Sequence, residues 1–93
     1  LPNFQRLSPL NIGQDLREMF TADLSIEAAA VDRLRRGIAV MRDKRDITSA
    51  RLFESILEDE EHHIDYLETQ LALLDKVGEQ LYIADLLEQP DDS

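Results

Sequence analysis

The chain has 93 residues, 20 acidic and 10 basic, with a net charge of −10 and no cysteine. This length allows one small domain, and the charge argues against nucleic acid and anionic membrane surfaces as partners. With no disulfide framework, no thiolate site, no apolar run near the ~18 residues of a membrane span and no charged-then-apolar leader, the expectation is a soluble, cytoplasmic chain.

Residues 1–12 carry Pro2 and Pro9, which oppose a continuous helix, yet Leu1, Phe4, Leu7 and Leu10 recur every three residues. The pattern predicts an extended segment, ~35 Å in reach, lying against something helical. The first long helix is predicted over 15–42, ~42 Å long. Phe20, Leu34 and Met41 share a column at seven-residue spacing, flanked by Leu24, Val31 and Ile38. The remaining member of that column is Glu27, a carboxylate on an apolar stripe. No arginine stands three or four residues away to explain it as a local ion pair.

Lys44-Arg45-Asp46 is a charged break in which Asp46 suits the N-cap of a helix starting at Ile47. So short a turn predicts antiparallel packing of the two helices. The second helix is predicted over 47–76 with Gly78 as its stop. A short amphipathic helix over 79–88 is expected to turn away from the hairpin, ahead of a polar tail at 89–93. The first residue is Leu, which fits a processed or truncated chain.

The second helix holds Glu-Asp-Glu-Glu-His-His at 58–63. Phe53, Glu60, Leu67 and Leu74 form one column, Ile56, His63 and Gln70 the next, and Leu57, Ile64 and Leu71 a third. Glu60 and His63 therefore sit inside the apolar stripe. Glu54, Glu61 and Glu68 form an acidic column elsewhere, and His62 lies between Ser55 and Thr69, so Glu61 and His62 read as solvated. Burying a carboxylate beside an imidazole is costly unless they pair or bind a metal. Glu-x-x-His at i, i+3 is the spacing by which one helix offers two ligands to one centre. Glu27 lies about 18 residues before the turn and Glu60 about 14 after it, at similar heights along a hairpin. Three would-be ligands thus meet across one seam. A salt bridge that only fixes helix register is the alternative reading of the same residues.

Leu-Pro-Asn at the start, Leu-Asn-Ile-Gly at 10–13, Asp-Leu-x-x-Glu at 23–27 and Ile-Leu-x-Asp-Glu-Glu-x-His-Ile-Asp-Tyr-Leu-Glu-Thr at 56–69 resemble the C-terminal part of bacterioferritin. The resemblance implies an all-α, ferritin-like four-helix bundle with a short fifth helix, assembled into a hollow 24-subunit shell. Each subunit would oxidise Fe(II) at a di-iron site and store the ferric mineral inside. By this likeness 1–11 is the crossover, 15–42 and 47–76 are the third and fourth helices and 79–88 the fifth. It makes Glu27 a terminal iron ligand, Glu60 the bridging carboxylate and His63 the terminal imidazole. Asp59 falls where a carboxylate orients a ligand histidine from another helix, and Tyr66 where the family often has an aromatic with a redox role.

The family's first two helices, with their Glu, their Glu-x-x-His and the Met that ligates haem b between subunits, have no counterpart in this chain. Neither Met19 nor Met41 matches the haem position. The chain is expected to work as a ferroxidase only beside the complementary N-terminal helix pair. One alternative is a half-ferritin hairpin whose two copies form the bundle, and another is a non-catalytic helical interaction module. Oxygen and imidazole donors admit Fe(II), Mn(II) or Zn(II), and the resemblance selects iron.

Overall fold

The computed structural model describes residues 8–88. Two long helices account for nearly all of it: α1, Pro9–Asp43, and α2, Ile47–Glu88. They pack antiparallel along their length in a single layer of 75 × 28 × 15 Å. The all-α expectation holds.

The helix α1 starts six residues earlier than 15. Ser8 is its N-cap, with its hydroxyl accepting from the Asn11 backbone N–H at 3.2 Å, and Pro9 occupies the first helical position. There proline's missing N–H costs nothing, since that donor has no partner inside a helix anyway. Of the expected crossover, residues 1–7 lie outside the described residues, as does the tail at 89–93. The expected stop at Gly78 is also corrected. The helix α2 runs through it without interruption, so 79–88 is the end of α2 and not a separate element turning away. Gly78 keeps a negative φ, and a Cβ built on it would meet no atom within 4 Å. Glycine permits a left-handed stop but does not enforce one. The apolar residues on either side, Leu74 and Leu81, keep the same seven-residue column.

The turn behaves as its residues suggest. Arg45 adopts the left-handed conformation at φ 60°. Its N–H donates to the Arg42 carbonyl at 3.0 Å, and the Asp46 N–H donates to the Met41 carbonyl at 2.8 Å. This pair of bonds closes the C-terminus of α1 in a Schellman motif. Asp46 then caps α2, its carboxylate accepting from the Ser49 N–H at 3.1 Å. Hydrogen bonds from the Ser49 side chain and then from its backbone N–H hold the Asp46 carboxyl below its usual value.

The seam is narrow. Val31 and Ile38 from α1 and Ala50 and Leu67 from α2 are buried, with Leu67 the largest fully buried side chain. Half-buried Phe20, Leu24, Leu34, Leu57, Ile64 and Leu71 flank them. Two single stripes meeting edge to edge can bury no more than this.

Candidate metal centre

Because the turn ends α1 and starts α2 with three residues between them, equal distances from the turn place residues side by side. Glu27 on α1 and Glu60 and His63 on α2 come together in this way. Each offers one ligand atom, all within 4.8 Å of one another. His63 Nδ1 stands 4.0 Å from Glu27 Oε1. Glu60 Oε2 is buried without a hydrogen-bond partner. A buried carboxylate oxygen left unpaired is costly, and a bound cation is what would satisfy it. Oxygen and imidazole donors converging on one space fit a divalent first-row metal.

The apolar floor beside Glu60 is an open cavity of about 370 Å³ lined by Ala30, Leu34, Gly37, Met41 and Phe53, with Arg33 at its edge. Ala30 and Gly37 keep α1 low here, so the space over Glu60 is not filled from within the hairpin. Their column, one turn from Glu27, was the signal in the sequence for this opening.

Glu61 and His62 point away from this cluster, as the register requires. Arg35 pairs with Glu61 at 3.0 Å, and His62 stands 3.8 Å from Glu58. The expectation that His63 is inside needs correction. Its side chain is 50% exposed, against 21% for Glu27. The helix angle is right, but the column of Ile56, His63 and Gln70 lies at the edge of the seam, where Ile56 and His63 stay exposed. Among the described residues no arginine forms an ion pair with Glu27. Arg36 pairs with Asp32 and Arg42 with Glu54. The Tyr66 ring meets His63 edge to face, centroids 6.4 Å apart. Asp59 is exposed one column over and lies outside the three-residue cluster.

With this geometry the kinship can be read. The ferritin-like domain family matches residues 1–77. The chain belongs to the ferritin-like family. It is 62% identical over 95 residues to a bacterioferritin of Streptomyces coelicolor, covering 100% of this chain and 57% of that protein. A bacterioferritin of Mycobacterium tuberculosis is 58% identical over 90 residues, covering 97% of this chain and 57% of its own length. One from Brucella melitensis is 46% identical over 81 residues, 87% and 50% respectively. This ferritin-like chain thus spans little more than half the length of these curated relatives. No helix among the described residues is long and apolar enough to cross a membrane.

Proposed function

We propose that this chain supplies half of a di-iron carboxylate site that oxidises Fe(II) for iron storage, the other half coming from a complementary helix pair. The observation that supports it most is the convergence of Glu27, Glu60 and His63, whose ligand atoms lie within 4.8 Å of one another. Glu60, with one oxygen buried and unpaired, suits the bridging position between two irons. Glu27 and His63 flank it as terminal ligands, one iron each. Tyr66 braces the His63 ring and is a candidate for its redox partner. Asp59 sits where it would orient an imidazole from the covering helices.

Iron is the substrate. Two Fe(II) each lose one electron, and dioxygen or peroxide accepts the pair. The chain's residues hold the metals adjacent and leave coordination positions open, which makes a two-electron step available. Four carboxylates in the completed site carry −4, which two Fe(II) balance. A reading as a bare interaction module accounts for the apolar face but not for three donors meeting on it. The kinship supports a cytoplasmic store built as a 24-subunit shell. Any haem b would be held by a Met outside this chain.

In the assembled protein, Glu60→Ala should abolish rapid Fe(II) oxidation, while His62→Ala should leave it nearly unchanged. Stopped-flow absorbance after aerobic Fe(II) addition compares them. Full activity in the Glu60 variant would remove the site from this position.

A further inference from the structure

Among the described residues only four apolar side chains are buried between α1 and α2: Val31, Ile38, Ala50 and Leu67. So narrow a seam resists separation of the helices better than it resists their rolling against one another. Rolling matters to the metal cluster. A ligand atom ~5–6 Å from the axis of α2 moves ~1 Å for a roll of ~10°. A working site tolerates ~0.5 Å.

The helix α2 is held from the other edge of the seam. Glu27 and Arg35 stand four residues before and after buried Val31, so they flank the seam at about 40° to either side. On α2, Glu60 and Glu61 flank half-buried Ile64 at about 40° to one side and 60° to the other. The metal cluster therefore runs along one edge. Along the other, Arg35 Nη2 meets Glu61 Oε1 at 3.0 Å, and nearer the turn Arg42 Nε meets Glu54 Oε1 at 2.7 Å. Seven residues forward on α1 match seven back on α2, as antiparallel helices in one register require. The next step of this series pairs Ala28 with Glu68 and has no cation. The two rungs thus reach from the turn to the height of the cluster and end there. They lie on the edge away from the ligands, so both partners of each rung come from this chain, whatever covers the ligand face.

We propose that Arg35 is a positioning residue for the metal centre: by holding Glu61, the neighbour of Glu60, it sets the roll of α2 at which Glu60 and His63 face Glu27. The inference rests on the metal-site reading above and adds what aims two of its ligands. A roll that carries Glu60 and His63 off Glu27 also displaces Glu61 from Arg35. A one-residue error loses a rung in either direction. With Asp59 and His62 in the places of Glu60 and His63, Arg35 would meet Glu60 but Arg42 would meet Phe53. With Glu61 and Ile64 in those places, Arg35 would meet His62 and Arg42 would meet Ser55. Of the three registers, the observed one alone gives both arginines a carboxylate. Arg35 and Glu61 are 64% and 48% exposed, so their pair adds little to stability. Its effect is on where the ligands point.

The test titrates the assembled protein with Co(II) and follows the visible absorption of the bound ion. Arg35→Gln should weaken Co(II) binding about three- to fivefold, the most that an exposed pair returns, and alter the band shape. Its melting temperature should stay near the parent's. Arg17→Gln removes another ion pair between the helices, the one with Asp75 toward their open end. It should leave Co(II) affinity at the parent's value. Exchanging the charges, Arg35→Glu with Glu61→Arg, should restore both affinity and band shape. Parent-like Co(II) binding in Arg35→Gln would overturn the positioning role and leave the metal-site reading standing. Equal losses in Arg17→Gln and Arg35→Gln would mean a general loosening of the hairpin and would overturn it too. So would an exchange that restores nothing. Co(II) binding that His63→Ala leaves unchanged would overturn the metal-site reading, and this proposal with it.

Discussion

Ile26 and Arg35 stand on the same helix and face opposite ways. Arg35 reaches across to Glu61 at 3.0 Å, whereas Ile26 is 64% exposed. The contrast extends to whole columns. On one broad face of the hairpin, arginines of α1 meet acids of α2, as Arg42 does Glu54 with Nε 2.7 Å from Oε1. On the other, apolar side chains stand exposed beside the three candidate ligands Glu27, Glu60 and His63. A polar face that satisfies itself is complete in water. An apolar face of this extent is characteristic of a surface that is covered in the working assembly. The proposed function lies on the incomplete side.

The largest effect expected from this contrast belongs to the seam. Leu67 is 2% exposed, and Leu67→Ala should cost ~2–5 kcal/mol. Leu73, 50% exposed on the ligand face, should cost far less in the bare hairpin when changed to alanine, and approach the seam value once the face is covered. Thermal unfolding followed by circular dichroism, with and without a covering partner, reads both. Equal losses at the two positions in the bare hairpin would break the distinction between finished and unfinished surfaces.

Smaller changes are expected on the ion-paired face. Arg35→Ala or Arg42→Ala should cost under about 1 kcal/mol and the loss should fade as salt rises, because both pairs are solvent-exposed. Denaturant melts at low and high ionic strength test this. A large, salt-insensitive loss would mean that this face is buried in the working assembly.

The smallest effect belongs to neither face. The Asp46 carboxyl is held below its ordinary value near 3.8 by Ser49. Its ionised form is the one the fold favours, so its contribution is complete above that ordinary value. The contribution is lost as pH falls through the lower value of the folded state. Asp46→Asn should melt slightly lower than the parent at neutral pH, with the gap closing in acid. A gap that widened in acid would reverse the sign of the cap.

The register was legible in the sequence because seven-residue columns follow from helix geometry alone. That is why Glu27, Glu60 and His63 come together and Glu61 and His62 do not. The Asp46 cap was legible for the same local reason. The start of α1 was misplaced because Pro9 was weighed as a breaker, although Ser8 before it offered the cap that makes a first-turn proline favourable. The continuity of α2 through Gly78 was hidden because a glycine stop depends on the backbone beyond it. The exposure of His63 depends on what covers the face, and no periodicity within this chain carries that information. The pairs Arg35–Glu61 and Arg42–Glu54 join distant positions whose relative height only the completed hairpin sets.

The three residues between α1 and α2 leave no slack. Lys44 and Arg45 donate their N–H groups to α1 carbonyls, and Asp46 is tied to both helices. A connection so taut acts as an index mark. One residue inserted there and passed on to α2 would turn that helix ~100° against α1 and slide it ~1.5 Å. Asp59 and His62 would then stand where Glu60 and His63 now stand, with the chemistry of the donors nearly preserved but the carboxylate one methylene shorter and the neighbours changed. The chain contains a near-copy of its candidate Glu-x-x-His pair one position out of phase, and a turn of fixed length is what tells the two apart.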